Sequence, residues 1–330
     1  MNHRLYTFIE VCAGAGGLSK GFIDCGFTPL LLNDTDKHCI ATLKLNHPKA
    51  NIIEGSMINL DLEKYKGVDV IIAGLPCQSF SQAGKRKGFN DDCGKLFFHF
   101  IKMLSVLNPK MFLIENVPGL LTLNKGETLR FVINEINKIG KYFVNYKVLN
   151  ANDYSVPQNR KRLFIVGSSK ASFCFPEPHK YKPVLRDVLD KCPQSPGAIY
   201  KDKKYNVMRL VPEGGCWIDI PQDIAKEYMG NSYHSAGGKR GILKRLDMKK
   251  PCLTLLTTPS QKQTERCHPI ETRPLQTLEY ARIQTFPDDY IFSGSINQIY
   301  KQIGNAVPVN LSKAIALKFI DVLVNQFTNN

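Results

Sequence analysis

Glu10-Val11-Cys12-Ala13-Gly14-Ala15-Gly16-Gly17 decides the fold, because it joins an apolar run, Leu5 to Val11, to a helical pattern, Leu18 to Cys25. Glycines at a strand-to-helix turn let backbone approach a ligand and aim the helix N–H groups at it. A tight structural turn carries the same spelling, so the loop alone leaves both readings open. The next strand adds a second sign. Thr28 to Asn33 runs into Asn33-Asp34-Thr35-Asp36, where an acid is placed to hydrogen-bond ribose hydroxyls or to cap the following helix. Loop and acid together favour an adenosine-type cofactor.

The rhythm continues outward from this unit. Asp36 to Leu45 reads as a helix, Val68 to Ala73 as a strand, Lys95 to Leu107 as a helix and Met111 to Glu115 as a strand. Glu127 to Ile139 follows as a helix, then Tyr142 to Asn150 and Arg162 to Val166 as strands. Short apolar runs alternating with helical periodicity predict an α/β, doubly wound, Rossmann-like sheet. After about Ser172 the chain turns rich in Pro and Lys, which predicts a smaller, irregular second domain. The tail regains helical spacing at Leu311, Ile315, Phe319 and Val322, with Asn310 placed as the cap.

Composition narrows the class. The 330 residues suffice for one large domain or two ordinary ones. Neither a basic flank with an apolar core near Met1 nor a window of membrane-span length occurs, so the expected compartment is the cytoplasm. The ten cysteines are scattered, without a Cys-x-x-Cys pair or a His at ligand spacing, so reduced thiols and no metal are expected. A net charge of +15 attracts polyanions. It concentrates from Gly237 to Arg266, where Lys239, Arg240, Lys244, Arg245, Lys249, Lys250, Lys262 and Arg266 face only Asp247 and Glu265. A solvated basic face reads equally well there.

One further segment carries chemistry. The buried-strand pattern Asp69 to Gly74 ends in Leu75-Pro76-Cys77-Gln78-Ser79-Phe80-Ser81, which sets a thiol in a loop. A thiolate attacks electron-poor carbons, including C6 of a pyrimidine. An isolated cysteine at a strand end is more often a small buried hydrophobe.

Read together, these segments resemble the cytosine-5 DNA methyltransferases over most of the chain and in the family's order. The loop Ala13 to Gly17 is similar to the family's first motif, and Pro76-Cys77-Gln78 to its nucleophile motif. Gly94-Lys95-Leu96-Phe97, Glu115-Asn116-Val117 and Gln158-Asn159-Arg160-Lys161-Arg162 resemble the next three. Arg273 to Gln284 and Gly304-Asn305-Ala306-Val307-Pro308 resemble the ninth and tenth. Three positions around the adenosine depart from the usual pattern: Cys12 stands for Phe, Thr35 for an aromatic and Ser56 for Asp.

The resemblance implies a discontinuous catalytic domain, residues 1–172 plus 276–330, around a target-recognition domain at 173–275. It implies S-adenosylmethionine as cofactor, with Glu10, Cys12, Ala13, Gly14, Gly16, Gly17, Asp34, Thr35, Ser56, Pro76 and Asn305 as contacts. Cys77 is implied as the nucleophile at cytosine C6, Glu115 as the partner of N3 and the amine, and Arg162 with Arg160 at the O2 edge. The target base must leave the stack of double-stranded DNA to be reached. Lys85, Arg86 and Lys87, in a glycine-flanked loop, are expected to close over DNA. Gln261, Lys262, Gln263 and Arg266 are expected to contact it, Gln and Arg being able to hold base edges in two hydrogen bonds. The lone Trp217 is expected in the core. The expected protein is a monomer of a restriction-modification system, whose endonuclease is a genetic companion. A tRNA cytosine-5 methyltransferase and a DNA-binding relative with decayed catalysis stand as alternatives.

Overall fold

The computed structural model describes residues 5–76, 92–234, 239–261 and 263–327. Cα packing divides the chain into two compact units, the first formed by 1–154, 161–179 and 306–330, the second by 155–160 and 180–305. The return to the first unit comes at Ala306, later than the position 276 expected from sequence. The intervening stretch is bound into the second unit: Thr277 donates to the Pro196 carbonyl and the Tyr300 hydroxyl to that of Leu275.

The first unit is built on a seven-stranded sheet. Its strands are β1 (Thr7–Val11), β2 (Thr28–Asp34), β3 (Ile52–Glu54), β4 (Val70–Ala73), β5 (Met111–Asn116), β6 (Phe143–Asn150) and, beyond a two-residue β7 (Gln158–Asn159) of the second unit, β8 (Lys161–Ser168), in the order β3-β2-β1-β4-β5-β8-β6. The first five run parallel, while β8 is antiparallel to both β5 and β6. Parallel strands covered on both faces need unbroken apolar sequence, and Val70–Ala73 is buried throughout. Of these strands only β3 escaped the sequence reading, because three residues are too short for periodicity to register.

Helices α1 (Gly17–Asp24), α2 (Lys37–Asn46), α3 (Asp92–Leu107) and α4 (Glu127–Asn137) supply the crossovers. Between β1 and β4 the chain switches direction across the sheet: β2 and β3 lie on one side, β5 on the other. Ligands of open α/β sheets bind outside the carboxyl ends of strands at such a switch point. Both the glycine loop and the Leu75–Pro76 exit leave the sheet there.

The second unit holds α5 (Arg186–Leu189), α6 (Asp202–Met208), α7 (Gln222–Met229), α8 (Thr277–Ile283), α9 (Ile296–Asn305) and short strand pairs. β7 runs parallel to β9 (Cys252–Leu253), and β10 (Ser260–Gln261) forms a hairpin with β11 (Thr264–Glu265). Its core gathers Tyr200, Met208, Val211, Ile220, Met229, Ile242 and Leu243, with Trp217 packed against it. Arg245 fastens this lobe from inside. It is buried, and its guanidinium donates to the carbonyls of Val211, Met208, His268 and Glu271 and to the Thr272 hydroxyl. One member of the basic stretch is therefore a core residue.

The tail forms α10 (Val309–Phe327), which packs on α1. It starts ahead of Asn310, so that residue sits in the first turn and is not the cap; the amide of Ser312 bonds the Pro308 carbonyl. Glycine is demanded in α1 by this contact. A Cβ on Gly17 would strike the Val307 carbonyl and one on Gly21 the Ser312 side chain. Among the described residues no helix is long and apolar enough to cross a membrane.

Candidate active site

The glycine loop is shaped by positive φ at Cys12 (54°), Gly14 (55°) and Gly16 (83°). Three backbone N–H groups fix it: Ala13 to the Asn33 carbonyl (2.9 Å), Gly14 to Asp34 Oδ2 (2.7 Å) and Gly16 to the Ala13 carbonyl (3.0 Å). Asp34 also accepts from the Asp36 amide through Oδ1 (2.8 Å). The acid expected at a ribose thus clasps the glycine loop, and helix capping falls to Asp36, which accepts from the His38 amide. Thr35 stands exposed beside it.

Asn33 was not singled out from sequence. Its side-chain amide donates to the carbonyls of Ile53 and Gly55, both at 2.9 Å, and so holds the turn that carries Ser56. The Ser56 hydroxyl caps the short helical turn Met57–Asn59 by accepting from the Ile58 amide.

Glu10 is buried in β1, and its Oε2 meets no hydrogen-bond partner among the described residues. Burial, reinforced by the charges of Asp34 and Glu115 and offset in part by Ser19, pushes its pKa up to about 8. The same causes, burial first and then Asp34 and Glu10, push the Cys12 thiol up to about 12. Both groups carry their proton at neutral pH. A carboxyl oxygen left open in a dry wall, beside a loop whose Gly14 has nothing within 4 Å of the Cβ position, suits a ligand that brings polar groups of its own. That is a fit for the ribose and amino-acid portions of S-adenosylmethionine.

At the next strand ends stands the carboxylate expected to act on the base. Glu115, on β5, receives Arg162 Nε of β8 at 2.9 Å, with both side chains mostly buried. Arg162 is tied further to the Lys161 carbonyl. A Cβ on Gly74 would lie 3.2 Å from the Cys12 carbonyl and 3.8 Å from Glu115 Oε2, so glycine there lets the exits of β1, β4 and β5 converge. Asn116 is buried and donates to the Leu75 carbonyl at 2.8 Å; its Oδ1 accepts from the Val117 amide. It holds the chain two residues before Cys77. Pro76 is exposed. Cys77 and the loop cations Lys85, Arg86 and Lys87 lie outside the described residues, as does Lys262.

Two expected contacts are turned inward. Arg160 is fully buried and donates to the carbonyls of Leu255 (3.0 Å) and Gly304 (2.7 Å). Its companion Gln158 donates to Gln284 Oε1 and accepts from the Leu255 amide. The guanidinium of Arg160 ties together the framework of the second unit. Arg266 is likewise buried, donating from Nε and Nη2 to the Thr254 carbonyl and from Nη1 to that of Glu265. It braces the hairpin through these carbonyls. Gln261 and Gln263 are exposed at the hairpin, and Asn305 is exposed at the end of α9.

A glycine loop and an acid at the switch point of this sheet define a Rossmann-like, nucleotide-binding class of protein. The chain belongs to the C-5 cytosine-specific DNA methylase family, whose model matches residues 6–321. It is 48% identical to the Type II methyltransferase M.Sau96I of Staphylococcus aureus, over 98% of this chain and 77% of that one. It is 46% identical to M.PspPI of Psychrobacter sp., over 97% and 80%. Among solved structures, a methyltransferase encoded within prophage Cp in E. coli superposes with a TM-score of 0.71 at 26% identity, over 96% of this chain and 99% of that one. Membership of that family makes the chain a DNA cytosine methyltransferase. Family membership implies S-adenosylmethionine as methyl source and DNA as substrate. The tRNA-directed alternative finds less support.

Proposed function

We propose that the chain methylates C5 of a cytosine turned out of double-stranded DNA, through a covalent bond between Cys77 and C6. The Glu115–Arg162 pair carries this reading, because it places an acid and a guanidinium side by side at adjoining strand ends. Cytosine C5 is a weak nucleophile until a group adds at C6. The Cys77 thiolate makes that bond, and the electrons displaced toward N3 are met by a proton held at Glu115. Arg162 fixes the orientation of Glu115 and faces O2. C5 then takes the methyl group as N3–H returns its proton to Glu115; a base removes the C5 proton, and the electrons of that bond restore C5=C6 and expel Cys77 as the thiolate.

S-adenosylmethionine supplies an electrophilic methyl group when bound. Glu10, Cys12, Ala13, Gly14 and Gly16 would line its amino-acid side, Asp34 and Thr35 its ribose, and Ser56 its adenine. Pro76 and Asn305 complete the expected set, and Gly17 contributes through the helix it opens. Target reading falls to the exposed Gln261 and Gln263 with Lys262, while Lys85, Arg86 and Lys87 contact the phosphates. Arg160 and Arg266 act as positioning residues. The enzyme is expected to work as a monomer in the cytoplasm, with a cognate endonuclease encoded beside it.

Transfer of labelled methyl from S-adenosylmethionine to unmethylated duplex DNA and to unmodified tRNA, with wild type and Cys77→Ser, tests the reading. Label on DNA that Cys77→Ser abolishes is the expected result. Near-normal turnover by Cys77→Ser refutes the covalent route, and label on tRNA alone moves the chain to an RNA substrate.

A further inference from the structure

The β10–β11 hairpin, which carries the proposed base-reading glutamines, is held at its base by one ammonium group. Lys204, on α6, donates to Ser260 Oγ of β10 at 2.9 Å and forms an ion pair with Glu265 of β11. Its Nζ lies 5.1 Å from the centroid of the Tyr200 ring, and the Tyr200 hydroxyl donates to Glu265 Oε1 at 2.8 Å. Glu265 has no exposed surface. A buried carboxylate demands its cation, so the pair fixes α6 and both hairpin strands in one arrangement. The opposite side is equally constrained. The Glu265 amide donates to the Gly241 carbonyl at 2.9 Å, and a Cβ on Gly241 would strike the Gln263 carbonyl.

We propose that Lys204 is a specificity-determining positioning residue: by joining Ser260 to Glu265 it sets where Gln261 and Gln263 meet the base edges, without touching DNA itself. The inference rests on the target-reading role given to this hairpin above. Two-pronged contacts from Gln to a base discriminate only while the amide is held in place, because a tilt breaks one bond of each pair. A loosened hairpin keeps its phosphate attraction and loses its selectivity. Gly241 has a related role through space alone: any side chain there displaces the turn that bears Gln263.

The test begins by mapping the methylated sequence with wild-type enzyme and bisulfite sequencing. Then kcat and KM are measured on duplexes carrying that sequence or single base-pair changes of it. The variants are Lys204→Met, Lys204→Met with Glu265→Gln, Ser260→Ala and Gly241→Ala. Single changes should lower wild-type kcat/KM roughly 5- to 150-fold. Lys204→Met should narrow that discrimination by about tenfold while kcat on the mapped site stays within about threefold, and the double variant should recover most of it, since no buried charge is then left unpaired. Ser260→Ala and Gly241→Ala should narrow it in the same sense. Should Lys204→Met fail to fold, Ser260→Ala and Gly241→Ala decide. Unchanged discrimination in every folded variant, or an equal loss of kcat on all duplexes, overturns the inference. Absence of DNA methylation by wild type would instead defeat the functional reading beneath it.

Discussion

The side-chain amide of Asn116 reaches from the end of β5 to the Leu75 carbonyl, 2.8 Å away, and so fixes the backbone from which Cys77 follows. Its own Oδ1 is occupied by the Val117 amide. Replacing Asn116 by Leu leaves that carbonyl and that amide without partners and lets the nucleophile's backbone drift. The loss of about 1–3 kcal/mol should appear in kcat, roughly a 5- to 150-fold drop. Single-turnover kinetics at saturating DNA checks this, with S-adenosylmethionine affinity unchanged.

Arg245 spends its guanidinium on carbonyls from several loops of the second unit. Arg245→Met removes the charge and strands those acceptors in the interior. A loss of about 3–5 kcal/mol is expected, read as a lower urea midpoint of unfolding. Lys should not substitute, because one ammonium cannot span the same acceptors.

Gly17 and Gly14 should respond differently to alanine. Gly17→Ala drives a methyl into the Val307 carbonyl and must part α1 from the tail, so a fall in thermal stability is expected. At Gly14 there is room, and only the positive φ resists, at a cost of about 1 kcal/mol. Differential scanning calorimetry separates the two; equal melting temperatures would contradict the packing argument.

Acid and base should destabilise the fold for separate reasons. Burial lowers His47, to about 4, and lowers His268, whose Nδ1 accepts from the Ile270 and Glu271 amides. Each is native as the neutral ring, so the unfolded chain takes up protons first, near pH 6.5. Stability present above that value is lost as pH falls from about 6.5 toward 4. Glu10 has the opposite sign. Raised to about 8 from 4.5, it costs stability as pH climbs across that interval. Glu10→Gln should remove the loss of melting temperature that accumulates between about pH 4.5 and 8 and leave the separate histidine-linked loss on acidification in place.

The sheet was legible because its parallel strands must be apolar on both faces and its first turn must be glycine. Glu115 and Arg162 were legible from their order in the chain, and the structure brings them together. The inward turn of Arg160, Arg245 and Arg266 was not. Their acceptors are carbonyls, which every residue carries, contributed by segments such as Leu255, Val211 and Thr254 that no pattern links to them. Asn33 and Asn116 did leave a signal. Each is an amide at the end of an apolar strand, where a neighbouring exit offers a carbonyl.

The clasp of Asp34 on the Gly14 amide bears on how a ligand is received. Without it, the glycine-rich turn would sample many shapes, and each capture event would have to select one of them. With it, the cradle is preorganised, and association forfeits little chain entropy. Asp34→Ala should therefore slow S-adenosylmethionine capture as well as speed release, the slower capture being the kinetic mark of a mould that must first be found.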